Sequence, residues 1–356
     1  SQYWGFPHFW ASLVEAESLI LKTLKTSHGV QHLGIRMDDP GAALGFLRQE
    51  NRNVFLTGIP GLDAHDLGPG RKRLHVFVAL PGVGKSWWLL HLAKQAILQK
   101  LRVVYVSLEL DEDEICQRTM QMLFSVHKHK DELVKAYCFE KDEDGKFIAL
   151  IPDQLDGLKS LQDKDIEKHL LSELEMFEGR LPIVARQFPT GALTIRELEA
   201  YLDVLESKQG FLPDLLIVDY ADCMSIDSKN YRLEVGQIYK DLRGLAIKRN
   251  IAVATASQAN RASTKTKWLD KDSIAEDFSK IATADTVITY NQTPIEHEMG
   301  LARLFVAKAR SDRDKFAVLV SQSYAIGQFV LDSVKYNNRY FESSELTATP
   351  ETETPE

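Results

Sequence analysis

From Leu74 onward, short apolar runs rich in Val and Ile alternate with segments whose apolar positions recur at helical spacing. The runs predict strands over Leu74–Leu80, Arg102–Leu108, Pro182–Arg186, Leu215–Asp219, Ile251–Ser257, Thr286–Tyr290, Arg303–Ala309, Phe316–Ser321 and Gln328–Asp332. Helices are predicted over Trp87–Lys100, Glu112–Phe124, Thr194–Ser207 and Val235–Arg249. Such alternation predicts an α/β fold, a mostly parallel sheet with helices on both faces. The last three runs follow one another without helices and predict antiparallel strands added at one edge.

Three regions stand apart from this core. Residues 1–52 read as a helical N-terminal segment or linker, with a helix-like Ser12–Lys25 and a break at Asp39-Pro40-Gly41. Its aromatic cluster, Tyr3, Trp4, Phe6, Phe9 and Trp10, needs cover from either the chain's own core or a neighbouring subunit. The charged stretch Lys128–Arg180 reads as a surface insertion, with a hairpin-type Asp-Gly turn inside Asp142–Lys146. Residues 336–356 read as an acidic disordered tail, ending in ESSELTATPETETPE with five Glu and no Lys or Arg.

Composition narrows the class. With 44% hydrophobic and 26% charged residues the chain is an ordinary globular one. No apolar run reaches the ~18 residues of a membrane span, and the opening SQYWGFPHFW does not read as a secretory leader. Three cysteines, Cys116, Cys138 and Cys223, without a C-x-x-C pair, point to a reducing cytoplasm rather than a disulfide scaffold. A net charge of −8 excludes a generally basic nucleic-acid coat but leaves room for a local nucleic-acid site.

The chemistry concentrates in Leu74–Ser86, LHVFVALPGVGKS. A buried strand, a glycine-bearing turn and a helix start are what a phosphate-binding loop requires. Pro81, Gly82, Val83 and Gly84 would bring backbone N–H groups to the polyanion, Lys85 would reach the β- and γ-phosphates, and the Ser86 hydroxyl would ligate Mg²⁺. The full G-x-x-x-x-G-K-[ST] pattern would begin with glycine at 79, where this chain has Ala79. The implied ligands are ATP and Mg²⁺.

Other strand ends extend the constellation. LLIVD presents Asp219 where it would order the water shell of Mg²⁺. VVYVSLE ends in Glu109, either a base for the attacking water or an acid belonging to the start of the next helix. IAVATASQ ends in Gln258, a candidate γ-phosphate sensor. Beyond it Arg261, Lys265 and Lys267 form a basic loop suited to the backbone of single-stranded DNA or simply to solvent, with Lys229 and Arg232 a weaker second candidate. LFVAKAR places Lys308 and Arg310 two apart at a strand end, as a polyphosphate clamp in the same subunit or across an interface, or as a solvated pair.

Together these segments resemble the RecA-type motor domain of DnaB-like, superfamily 4 replicative helicases, T-even-like phage helicases in particular. TGIPGLD resembles the family's T-G-x-x-x-L-D opening, and VALPGVGKS its P-loop, which often carries Ala first. VSLEL resembles S-L-E-M, IVDYADCM resembles I-D-Y-L-x-x-M, ATASQANR resembles A-x-S-Q-x-N-R, and Lys308-Ala309-Arg310 resembles K-x-R. RQFPTGALTIRELEAYL is similar to the phage branch.

The resemblance covers about residues 53–335 and implies a RecA-like core, with Glu109 as base and Gln258 as sensor. It also implies a ring, usually hexameric, with nucleotide at each subunit interface and Lys308 and Arg310 pointing into the neighbour's site. Pore loops on single-stranded DNA and 5′→3′ translocation follow from it, with primase, helicase loader or polymerase as further partners. The chain departs from the family at Leu110, in place of Met, and at Ala221-Asp222-Cys223 after Tyr220. Residues 1–52 are too few for the family's N-terminal collar. A RecA-fold recombinase or clock-type switch ATPase, and a DNA-binding loader module with little turnover, are the competing readings.

Overall fold

The computed structural model describes residues 54–129, 134–177, 181–226, 231–259, 269, 282–310 and 314–342. The expected N-terminal helical segment therefore lies outside the described residues. So do Lys229, Arg261, Lys265, Lys267 and the end of the acidic tail.

Nine strands form one sheet: β1 (Leu74–Ala79), β2 (Val103–Ser107), β5 (Ile183–Gln187), β6 (Leu215–Asp219), β7 (Ala252–Gln258), β8 (Thr286–Asn291), β9 (Leu301–Ala309), β10 (Ala317–Ser323) and β11 (Gln328–Lys335). Their order is β11-β10-β9-β8-β1-β7-β6-β2-β5. From β8 to β5 every pairing is parallel, while β9, β10 and β11 continue the sheet antiparallel on one side. The class and the sheet pattern are those expected from the apolar runs.

Helices α1 (Lys85–Leu98) and α2 (Glu112–Phe124) cover one face; α4 (Ile195–Gln209) and α5 (Tyr231–Arg249) cover the other. The two-residue period of a strand sends Phe77 and Ala79 of β1 into the first core and Val76 and Val78 into the second. Both faces are buried, so the central strands read as continuous apolar runs. Local signals agree. Thr194 caps α4 by accepting from Glu197 N–H while the Glu197 carboxylate accepts from Thr194, a reciprocal capping box, and Gly210 ends the helix at φ 62°.

The opening motif has a structural role. The Asp63 carboxylate accepts from Thr57 N (2.7 Å), Thr57 Oγ1 (2.7 Å) and Gly58 N (3.0 Å), closing a helical turn over Pro60–Asp63. The Thr57 carbonyl in turn meets His91 Nε2 at 2.8 Å, which ties this turn to α1.

The insertion is more ordered than its charge suggests. Strands β3 (Val134–Lys141) and β4 (Phe147–Leu155) form an antiparallel hairpin around Gly145 (φ 72°), followed by α3 (Ile166–Leu174). Phe139, Phe147 and Leu150 share a third core with Leu301, Leu319, Val334 and Tyr340, so the hairpin is seated on the antiparallel strands. Asp332 fastens it by accepting from Phe139 N (2.9 Å) and Lys141 Nζ (2.8 Å).

The folded chain also continues beyond 335. Asn338–Glu342 form a 3-10 turn, and Tyr340 is fully buried with its hydroxyl donating to Glu296 at 3.0 Å. Residues 336–342, counted into the acidic tail from their sequence, belong to the domain because three aromatic rings in this stretch, Tyr336, Tyr340 and Phe341, pack on one another. Glu296 itself caps the short helix α6 (Pro294–Glu298) and pairs with buried Arg303 at 2.8 Å.

Candidate nucleotide site

The loop between β1 and α1 is built for an anion. Gly84 precedes the helix at φ 104°, in the left-handed region, and no side chain caps the first turn. The N–H groups of that turn, together with the helix dipole, are directed at the loop's concavity. Gly82 also has positive φ, 77°, and a side chain there would meet nothing within 4 Å. A Cβ at Gly84 would lie 2.4 Å from the Tyr324 hydroxyl, so this glycine is fixed by conformation and by space.

Lys85 is the first residue of α1 and is mostly buried, its Nζ 4.8 Å from the centre of the Tyr220 ring. The Tyr220 hydroxyl reaches Gln258 Oε1 at 3.4 Å. Lysine and candidate sensor are thus joined through one aromatic side chain. Asp222 holds the end of β7 by accepting from Ser257 Oγ (3.0 Å) and Gln258 N (3.3 Å), and it accepts from Tyr239 as well (2.8 Å).

Asp219 ends β6 and is fully buried. Its Oδ2 accepts from the Tyr105 hydroxyl at 2.6 Å, while its Oδ1 is buried with no hydrogen-bond partner among the described residues. The Ser86 hydroxyl approaches the same carboxylate. Burial raises the Asp219 carboxyl above its usual range, against the lowering effect of the Tyr105 and Ser86 hydroxyls. A buried orphaned carboxylate oxygen beside a hydroxyl fits a Mg²⁺ ion that keeps its waters and the substrate's phosphates as its other ligands. Among the described residues no group of three or more His, Cys, Asp or Glu gathers, so a metal held wholly by protein has no place here.

Glu109 stands two residues past Ser107, and Ser107 pairs in register with Asp219 across β2 and β6. The Ser107 hydroxyl accepts from Glu109 N (3.3 Å) and Leu110 N (2.7 Å), which turns the chain so that Glu109 is exposed at the strand end. The start of α2 is capped by Asp111, which accepts from Glu114 N at 2.7 Å. Glu109 is therefore not the cap itself but lies two residues ahead of it.

Lys308 and Arg310 lie elsewhere. Ala309 pairs with Thr286, and Thr286 with His75, so the end of β9 is beside the start of β1. The phosphate loop follows the other end of β1, about 20 Å away for a strand of this length. A clamp within one chain, one of the arrangements open from the sequence, is therefore excluded. Lys308 Nζ donates to the Ala282 carbonyl (2.7 Å), and Arg310 Nη1 to Asp285 Oδ1 (3.0 Å). Asp285 is nearly buried and also accepts from Arg243 (2.9 and 3.1 Å) and Leu74 N (3.1 Å). Burial raises this carboxyl, yet those donors outweigh it and hold it below the usual range. Of the candidate DNA contacts, only Arg232 is placed, by its backbone, as the second residue of α5.

Two features of the site went unread in the sequence: Tyr105 under Asp219, and Tyr324 against Gly84, its ring stacked on Trp87 at 5.2 Å. Tyr105 sits in the middle of the strand run VVYVS, where its hydroxyl was the polar signal inside the run. Tyr324 comes from the far end of the chain, and no local pattern reports it.

A family model described as an AAA domain matches residues 68–264, which holds the loop, Glu109, Asp219 and Gln258. A DnaB-like replicative helicase of Enterobacteria phage T4 is 27% identical over 225 residues, 62% of this chain and 42% of the relative. A replicative DNA helicase DnaB of Nostoc sp. is 24% identical over 220 residues, 60% of this chain and 22% of the relative. The matched region thus spans less than half of these curated relatives. Among solved structures, the ATPase domain of G40P superposes with a TM-score of 0.63 at 16% identity, covering 83% of this chain and 98% of that one. A DnaB-like replicative helicase, described with its interactions with primase, gives 0.64 at 16% identity, covering 92% and 74%. The α/β fold is thus shared with these RecA-like helicase ATPase domains. With more than half of its residues matched by that model, the chain belongs to the AAA-domain family.

Proposed function

We propose that this chain is the motor domain of a replicative DNA helicase, which couples ATP hydrolysis to movement along single-stranded DNA. In this reading it works as a ring, usually of six copies, with 5′→3′ polarity and nucleotide between neighbours. The observation that carries it is the division of the chemistry between two edges of one sheet. Lys85, Ser86, Asp219, Glu109 and Gln258 gather at the ends of β1, β2, β6 and β7, while Lys308 and Arg310 occupy the opposite edge.

The loop from Pro81 to Gly84 and the uncapped first turn of α1 hold the triphosphate, with Lys85 on its terminal phosphates. The Ser86 hydroxyl and, through water, the Asp219 carboxylate would hold a Mg²⁺ ion, which when bound would supply charge neutralisation at the phosphates. Glu109, exposed at its strand end, takes the proton of the attacking water. Gln258 reads the γ-phosphate and passes its state through β7 to the segment carrying Arg261, Lys265 and Lys267, the proposed DNA contacts, with Lys229 and Arg232 as further ones. Arg310, aided by Lys308, completes the site of the next copy, a contribution worth ~10³–10⁵ in rate. The T4 and Nostoc relatives support the replicative assignment, and the primase described with the DnaB-like helicase suggests the same kind of partner here.

The test is ATP hydrolysis with and without single-stranded DNA, for wild type and Arg310→Ala, alone and mixed. Stimulation by DNA, with Arg310→Ala poisoning wild-type copies, is the expected result. Turnover indifferent to DNA, or mixtures that behave as the sum of their parts, would overturn the helicase in favour of a switch ATPase. No turnover with any DNA would favour a loader module.

A further inference from the structure

We propose that Tyr105 is a positioning residue for the metal-facing carboxylate: it pins one oxygen of Asp219 so that the other is presented to the cation's water shell. The inference rests on the nucleotide site proposed above and adds to it a residue from the strand beneath.

Tyr105 is the middle residue of β2 and is fully buried. It pairs in register with Ile217, two residues before Asp219, so its ring runs along the sheet surface beneath α1 toward the end of β6. There its hydroxyl donates to Asp219 Oδ2 at 2.6 Å. The carboxylate thus has one oxygen fixed and the other, Oδ1, buried without a partner among the described residues. A carboxylate rotates freely about its terminal bond unless something holds it. With Tyr105 in place the plane is set before ligand arrives, and no reorganisation is needed when the cation's waters seek an acceptor. Its position also decides which oxygen does the work: the hydroxyl takes Oδ2, which leaves Oδ1 for the cation's waters.

The effect is on metal use, not on nucleotide capture. Phosphate contacts come from the loop and Lys85, which Tyr105 does not touch. The test compares wild type, Tyr105→Phe, Asp219→Asn and the double variant. A fluorescent ADP analogue is titrated in EDTA and in Mg²⁺, and the Mg²⁺ concentration that half-saturates ATP hydrolysis is measured. Tyr105→Phe is expected to bind the analogue in EDTA within twofold of wild type, to lose most of the affinity that Mg²⁺ adds, and to need about tenfold more Mg²⁺. In the Asp219→Asn background the same change is expected to alter nothing further in the Mg²⁺ response, because Tyr105 acts through that carboxylate. An unchanged Mg²⁺ requirement would overturn the proposal, as would equal losses in EDTA and Mg²⁺, which would mark Tyr105 as structural. A wild-type chain that gains no affinity from Mg²⁺ would overturn the metal role of Asp219 itself, and Tyr105 with it. Should Tyr105→Phe fail to fold, 3-fluorotyrosine at position 105, which keeps the ring and sharpens its O–H donor, decides: a shifted Mg²⁺ requirement supports the proposal and an unchanged one overturns it.

Discussion

Arg310 donates to Asp285 at 3.0 Å while its own side chain remains 62% exposed. The more deeply placed Arg243 already satisfies the same carboxylate with two bonds. Arg310 is therefore held in place yet free to exchange its partner, the property required of a cation that reaches into another chain.

Replacing it should separate stability from turnover. An exposed ion pair contributes ~0–1 kcal/mol, so Arg310→Ala is expected to shift the melting temperature by no more than a few degrees. Hydrolysis should fall by ~10³ or more. Asp285→Ala leaves the buried Leu74 N–H without its acceptor and takes the partner from partly exposed Arg243, and should destabilise the fold by about 1–3 kcal/mol, read from urea midpoints.

Glu109→Gln should leave nucleotide binding within about twofold, since the side chain is exposed and the phosphate loop and Lys85 remain intact. Hydrolysis in single-turnover measurements should drop by ~10²–10⁴, the usual contribution of a positioned base.

The two loop glycines should respond differently. Gly84→Ala combines a φ of 104° with a clash at 2.4 Å against Tyr324, and should abolish nucleotide binding and lower stability by ~2 kcal/mol or more. Adding Tyr324→Phe removes the clashing oxygen but not the backbone strain, so rescue should be partial. Gly82→Ala meets no neighbour and should retain the fold, at a cost of ~1 kcal/mol from its positive φ. Thermal melts and nucleotide titrations distinguish the three.

Acid should loosen the domain from the face under α1. His75 and His91 are buried in an aromatic cluster with Trp88 and Phe329, and burial lowers both imidazoles from 6.5 to about 4. A depressed value means that the unfolded chain takes the proton first. The stability is present above about pH 6.5 and is lost as pH falls toward 4. At about 1.4 kcal/mol per pH unit, each imidazole holds on the order of 3 kcal/mol. Urea midpoints should fall steadily between pH 6.5 and 4, and His75→Phe should reduce the slope by about one proton's share.

The central sheet was legible because strands buried on both faces are apolar along most of their length, as Leu74–Ala79, broken only by His75, and Leu215–Asp219, apolar up to its last residue, are. Glu109, Asp219 and Gln258 could be placed for the same reason: each ends or follows such a run, and polar residues at strand ends mark the sheet's working edge. The hairpin Val134–Leu155 escaped because one face is solvent, so its buried positions (Val134, Ala136, Phe139) are interleaved with charge and read as surface. Its Asp-Gly turn was the usable clue. The edge on which Arg310 lies follows from the reversal between β8 and β9, a pairing that no local pattern encodes. Tyr105, Tyr324 and Asp285 were invisible because their roles arise from residues 25 or more positions away.

The sheet reversal after β8 carries a consequence for how the protein idles. Because the end of β9 lies toward the start of β1, a solitary copy of the proposed motor would hold its fuel at one rim and the group proposed to trigger combustion at the other. Turnover per copy should then climb with concentration before it levels off, and dilute protein should sit loaded but quiet. In that reading waste would be restrained by geometry alone.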